Sequence, residues 1–338
     1  MSGGTSPATA AGTTTSGTVE PDATGPVVVT LGETMAMLRN DTPGLLALAT
    51  ELKLGIGGAE SNVAIALQRL GTRASWIGRV GADSLGELVL RELRAEGVDI
   101  HAIVDPDAAT GLMIKERRTA DTARVWYYRA GSAGSRLNAA DLPAQLISSA
   151  ALLHVTGITS ALSASAHAAI LEAVRLARAA NVPISFDVNH RSTLWRGRDA
   201  TAVYRELAEA ASIVFAGEDE ARLIAPGARD VRDLAASIVR LGPTQVVIKL
   251  GANGCYALID GVEYAQPAVP VRVIDTVGAG DAFVAGYLAE LVEGKDVATR
   301  LRTAVTTGAF ACLTAGDWEG LPRRSELSLL TADEPVTR

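Results

Sequence analysis

The chain has 338 residues, 48% of them hydrophobic, which is enough to bury the core of one large α/β domain with a small appendage. With 31 Lys+Arg against 38 Asp+Glu the formal net charge is −7, and no basic run occurs, so nucleic acid is not expected as a partner. No apolar run approaches the roughly 18–20 residues that span a bilayer, and the two cysteines, Cys255 and Cys312, lack the number and spacing of a disulfide framework or a metal knuckle. A reducing cytoplasm is the expected compartment.

Residues 1–25, rich in Gly, Ser, Thr, Ala and Pro, have neither the basic start nor the apolar stretch of a signal peptide and read as a disordered tail. The apolar run 26–32, closed by glycine, predicts a buried strand. A helix over 59–70 follows the Gly57-Gly58 turn and ends at Gly71; a strand over 73–80 and a helix over 84–96 come next. Further on, strands are predicted at 151–156, 184–187, 213–215 and 245–249. Helices are predicted at 164–180, 199–211, 218–224 and 230–241, and one begins near Asp281. Strands alternating with helices imply a mostly parallel sheet covered on both faces. Two stretches break the rhythm, about 34–54 and 103–129. They hold strand-like pieces without crossover helices and predict a small antiparallel sheet acting as a lid that excludes water. The main domain is placed at 26–325, with a C-terminal tail at 326–338.

The most informative stretch is Asp275-Thr276-Val277-Gly278-Ala279-Gly280-Asp281-Ala282-Phe283. Gly278 and Gly280 permit a tight turn that exposes successive N–H groups, and the helix starting near Asp281 adds the positive end of its dipole. The amides of Gly278, Ala279 and Gly280 can hold charge developing on a transferred phosphoryl group. Asp281, favoured as its ionised form by the same dipole, can take a proton from a hydroxyl.

Tyr127-Tyr128-Arg129 on the lid and Asp187-Val188-Asn189-His190-Arg191 after a predicted strand contribute two arginines. Arginine grips a carboxylate through two parallel hydrogen bonds, a grip that a sugar acid needs and a neutral hexose does not. The chain has no G-x-x-x-x-G-K-[ST] and no G-x-G-x-x-G after its first strand, which counts against P-loop and dinucleotide-binding enzymes.

The string Asp275 to Asp281 resembles the C-terminal signature of the PfkB, or ribokinase-like, family of carbohydrate kinases. Gly57-Gly58-Ala59-Glu60-Ser61-Asn62 resembles its N-terminal signature, and D-V-N-H-R-S-T-L-W from Asp187 resembles the 2-keto-3-deoxygluconate kinases of that family. The resemblance covers roughly 28–320 and implies a three-layer α/β sandwich with a β-sheet lid. It implies that Gly58, Asn62, Tyr127, Arg129 and Arg191 bind the sugar acid. It places ATP against Lys249, Gly251 and Gly254, and has Glu220 act on Mg²⁺ and phosphate through water. A monovalent cation, K⁺, is implied near Asp275.

Met113 stands where several such kinases have a second lid tyrosine, and Gly217 where Asn or Ser is usual. The reaction so implied is phosphorylation of 2-keto-3-deoxy-D-gluconate on its 6-hydroxyl. Open alternatives are a fructokinase, a ribokinase, a kinase for the galacto epimer, and a sugar-binding sensor without catalysis. Exposed lid edges are the expected surface for a homo-oligomer.

Overall fold

The computed structural model describes Met1 and residues 25–40, 42–119 and 122–330. In chain order the elements are β1 (Val27–Leu31), β2 (Met35–Arg39), β3 (Lys53–Gly57), α1 (Ala59–Arg69), β4 (Arg73–Gly81), α2 (Ser84–Ala95), β5 (Asp99–Asp105), β6 (Leu112–Arg117) and β7 (Ala123–Tyr128). Then come α3 (Ala144–Ser148), β8 (Leu152–Thr156), α4 (Gly157–Leu162), α5 (Ala164–Ala179), β9 (Ile184–Asp187), α6 (Thr201–Ala210), β10 (Ile213–Gly217), α7 (Glu218–Ile224) and α8 (Val231–Val239). The described chain continues with β11 (Gln245–Lys249), β12 (Cys255–Ile259), β13 (Val262–Gln266), α9 (Ala279–Val292) and α10 (Val297–Ala311).

The main sheet runs β13-β12-β11-β10-β9-β8-β1-β4-β5, parallel from β11 to β5, with β12 and β13 added antiparallel. Its β1 shows why the sequence run is apolar without alternation. Val29 and Leu31 enter one core, with α5, α6, α7 and α8, while Val28 enters the other, with α1, α2, α9 and α10. A strand buried on both faces has no polar side to display. The three-layer arrangement puts the C-terminal ends of β8, β9, β10 and β11 along one rim, where open α/β folds gather ligands.

A separate sheet, β3-β2-β6-β7, forms the lid. Two expectations need correction. The pair β2–β6 is parallel, because the chain leaves β2–β3 and returns only after passing through α1, β4, α2 and β5 of the main domain. Residues 103–105 belong to β5 at the edge of the main sheet, in register with Arg79–Gly81, so the second lid segment begins later than expected. The terminal expectation also shifts. Residues 324–330 form a 3₁₀ stretch in which Leu327 packs on the core, and Arg324 reaches Glu290 at 2.9 Å and Glu293 at 2.9 Å. Residues 2–24 and 331–338 of the expected tails lie outside the described residues. Among the described residues no helix is long and apolar enough to cross a membrane.

Candidate active site

Gly278 is the N-cap of α9, with φ 78 in the left-handed region, and a Cβ there would lie 1.9 Å from the Asp317 carbonyl oxygen. Only glycine lets the chain turn here under the 312–320 loop. Ala279 folds its amide back onto the Thr276 carbonyl at 3.3 Å, which tightens the turn. Among the described residues the Gly278 and Gly280 amides have no such partner, as the first turn of a helix requires of some N–H groups.

Asp281 lies in this first turn, buried. Its Oδ2 accepts from Asn62 Nδ2 at 2.8 Å and its Oδ1 from Asn189 Nδ2 at 3.2 Å. Burial pushes its carboxyl up to about 7, against the lowering pull of the Asn62 hydrogen bond and of the Arg191 and Lys249 charges. The sequence argument from the helix dipole expected a readily ionised group; desolvation outweighs the dipole. A carboxyl held close to neutrality is chemically able to take a proton from a hydroxyl.

Asn62 was expected to meet sugar hydroxyls, and the structure gives it a second task, holding Asp281. Its Oδ1 is buried and without a protein partner among the described residues, so the same side chain still offers an acceptor. Asn189 lies within a recognised motif, yet sequence reasoning did not single it out. Its positive φ of 39, in a non-glycine residue, turns the amide toward the aspartate.

Behind the turn, Lys249 closes β11 and places Nζ 2.8 Å from both oxygens of Asp187, which is 1% exposed. Burial alone would lower the lysine, but Asp187, Glu220 and Asp281 overcome this and hold it protonated. A Cβ on Gly280 would be 3.6 Å from Nζ, so a positive charge stands against the backbone of the glycine turn. Glu220, in the first turn of α7, accepts from the Gly217 amide at 2.7 Å and the His190 amide at 2.8 Å. With Asp219 and Lys249 it lines a cradle of about 380 Å³. Both its carboxylate oxygens already hold amides, which suits contact with a metal–phosphate group through water.

Lys249, Gly251, Gly254, Ala279 and Gly280 line a cavity of about 610 Å³ whose other walls, apart from Thr276, are apolar, including Val269, Phe283 and Val305. An aromatic base on apolar walls with its phosphates toward Gly280 would fill such a space. A second cavity, about 800 Å³, lies under the lid and is lined by Tyr127, Arg124, Arg129, Arg191, Arg196 and Arg198, with no acidic residue in its wall. Arg191 donates to the His190 carbonyl at 3.2 Å and has no carboxylate partner among the described residues. Arg129 differs from the expectation. Its Nε donates to buried Glu33 Oε2 at 2.6 Å, and Ser132 also donates to Glu33, so its charge is already matched. The expected pair of free arginines narrows to Arg191, with Arg129 held in the wall. Gly58, the N-cap of α1, does not line this cavity; a Cβ there would lie 2.5 Å from the Glu33 carbonyl oxygen. Met113 packs with Met35 and Met37 inside the lid and supplies no hydroxyl.

Asp275, the residue expected to hold K⁺, is instead ion-paired with Lys115, a lid residue that the sequence did not single out. A buried carboxylate that already holds an ammonium has no charge left to offer a metal cation, so K⁺ does not fit here.

The model of the pfkB family of carbohydrate kinases matches residues 26–324. The chain belongs to the PfkB family. The 2-dehydro-3-deoxygluconokinase of Bacillus subtilis is 38% identical over 91% of this chain and 96% of its own, and that of Thermoproteus tenax 38% identical over 88% and 92%. The 2-dehydro-3-deoxygalactonokinase of Haloferax volcanii is 32% identical over 91% and 94%. Among solved structures, a PfkB protein from Polaromonas sp. superposes with TM-score 0.81 at 36% identity, covering 90% of this chain and 99% of that one. An E. coli protein described as a ribokinase II, in complex with ATP and Mg²⁺, gives 0.84 at 25% identity over 90% and 99%. A Vibrio cholerae fructokinase bound to fructose, ADP and potassium gives 0.80 at 26% over 90% and 98%. This PfkB protein is therefore a carbohydrate kinase with the ribokinase-like fold.

Proposed function

We propose that this PfkB kinase transfers the γ-phosphoryl group of ATP to the 6-hydroxyl of 2-dehydro-3-deoxy-D-gluconate, also called 2-keto-3-deoxygluconate. The observation that carries the acid specificity is the lid cavity, walled by five arginines and no carboxylate, whose Arg191 is close enough to lower the Asp281 pKa. A carboxylate gripped at Arg191 fixes the far end of the acceptor toward Asp281. Asp281 takes the proton of the terminal hydroxyl as its oxygen attacks the γ-phosphorus. The amides of Gly278 and Gly280, with Lys249 behind them, stabilise the charge in flight. Asn62 and Asn189 keep the carboxylate aimed.

The apolar cavity between the turn 251–254 and α9 takes the adenine, and Gly251 and Gly254 approach the nucleotide by their backbone. Mg²⁺ bound with ATP would supply positive charge that offsets the phosphates. The site fits such a metal, because Asp219 and Glu220, which line the cradle beside Lys249, would offer the one or two carboxylates that Mg²⁺ takes in phosphate sites. The enzyme acts in the cytoplasm, in keeping with its two free cysteines. Self-association would use the lid, whose Leu54, Trp126 and Tyr128 are exposed.

ADP release is followed with Mg·ATP and a panel of 2-keto-3-deoxygluconate, its galacto epimer, gluconate, fructose, ribose and adenosine. The expected kcat/KM for the keto-deoxy acids exceeds that for the neutral sugars by about 100-fold or more, the scale of a lost charged contact. Preference for fructose or ribose keeps the phosphoryl-transfer machinery and discards the carboxylate grip. Turnover of none of them supports a sugar-binding protein without catalysis.

A further inference from the structure

Lys115 is the centre of a buried cluster that joins the lid to the anion-hole turn. Its side chain, 5% exposed, comes from the inner face of β6 and pairs with Asp275. Nζ donates to the Gly316 carbonyl at 3.2 Å and lies 3.7 Å from Asp317 Oδ1, an atom with no hydrogen-bond partner of its own. Asp275 in turn accepts from the Val277 amide at 3.2 Å through Oδ1 and from the Gly316 amide at 3.2 Å through Oδ2. One carboxylate therefore ties the approach to the anion hole to the loop above it. The carbonyl of Asp317 closes the stack against Gly278.

Two carboxylates and a main-chain carbonyl around a dehydrated unit charge form a donor set that a monovalent cation could also satisfy. An ammonium supplies the same charge without being exchangeable. A second cation on Asp275 would meet like charge a few ångströms away in a buried site.

We propose that Lys115 is a tethered substitute for a monovalent cation at the anion-hole turn, so that phosphoryl transfer by this kinase does not depend on K⁺. Lys115 is then a positioning residue: it touches neither sugar nor nucleotide, and it acts by fixing Asp275 and the 315–317 segment around the Gly278 turn. The inference rests on the kinase reading, not on which sugar is the acceptor.

The test compares ADP release by the native enzyme in tetramethylammonium chloride and in KCl, using whichever sugar of the panel turns over fastest. The native rate should change by less than about twofold, and K⁺ activation of about tenfold or more would overturn the proposal. Lys115→Met keeps most of the stem and removes the charge; it should lose about tenfold or more in kcat/KM and regain part of it in KCl only. A loss that KCl leaves untouched, in a variant that melts like the native protein, would reduce Lys115 to a lid anchor and sink the idea.

Thermal melting gives a readout that needs no sugar. KCl should raise the Tm of Lys115→Met above its value in tetramethylammonium chloride and leave the native Tm unmoved, whereas equal shifts in both proteins would contradict the substitution. A wrong acceptor assignment would leave this melting result intact. Should the variant not fold, the salt response of the native enzyme decides alone.

Discussion

Asp281 carries a proton near neutrality because it is buried, and loses it readily enough to act because Asn62 and two cations lean the other way. Folding makes its ionisation costly: its raised pKa contributes stability fully present at low pH and lost as pH rises through about 7. The proposed role as general base needs the ionised form. Hence kcat/KM should fall about tenfold per unit as pH drops below about 7, which a pH–rate profile reads directly. Asn62→Ala removes a pKa-lowering hydrogen bond, so the acid limb should move to higher pH, a displacement that a purely structural role would not give. Asp281→Asn should cut kcat about 10²–10⁴-fold with ATP binding nearly unchanged; single-turnover kinetics and nucleotide titration check both. Arg191→Ala should raise KM for the acid about tenfold or more and leave that for ATP alone, since the residue lines the lid cavity and not the apolar one.

At the scale of elements, α9 and α10 pack so closely that Gly286 has no room for a side chain. A Cβ there would lie 2.3 Å from Thr307 Oγ1 and 3.0 Å from Ala304 Cα, while Thr307 Oγ1 donates to the Ala282 carbonyl at 2.8 Å. Gly286→Val should destabilise the fold by about 1–3 kcal/mol through overpacking, seen as a lower urea midpoint, with loss of activity because α9 carries Asp281. Much of this architecture was legible locally. Strands 184–187 and 245–249 and the helix 218–224 coincide with β9, β11 and α7, because buried parallel strands and an acidic helix start leave unbroken signatures. Helix α10 was not legible: its threonines, two valines and Gly308 are poor helix formers, and it exists by packing on α9. The parallel β2–β6 pair was not readable either, since a contact across most of a domain leaves no local trace. The site shows the same division. Asp281 and the glycines announced themselves by spacing, whereas Glu33, Asn189 and Lys115 acquire meaning only from partners distant in sequence.

For the molecule as a whole, the lid and the catalytic rim are one mechanical unit. Arg39 on β2 donates to the Ala315 carbonyl at 3.1 Å and pairs with Glu319, and Trp318 donates to the Ile56 carbonyl at 3.2 Å. Hydrogen exchange should therefore find the lid strands and the 315–319 segment opening together, and Lys115→Met should speed exchange in both. The lid cavity also sets the field around the protein. A chain of net charge −7 repels anions at a distance, yet its acid-free arginine wall makes a local positive basin at the mouth of the site. Arrival of the proposed acceptor should slow as salt screens that basin. The product leaves with a phosphomonoester worth about −1.5 to −2 more charge, so the basin that hastens entry also delays exit. Added salt is then expected to push the two kinetic constants in opposite directions, lowering kcat/KM while raising kcat, with product departure as the slow step of the cycle.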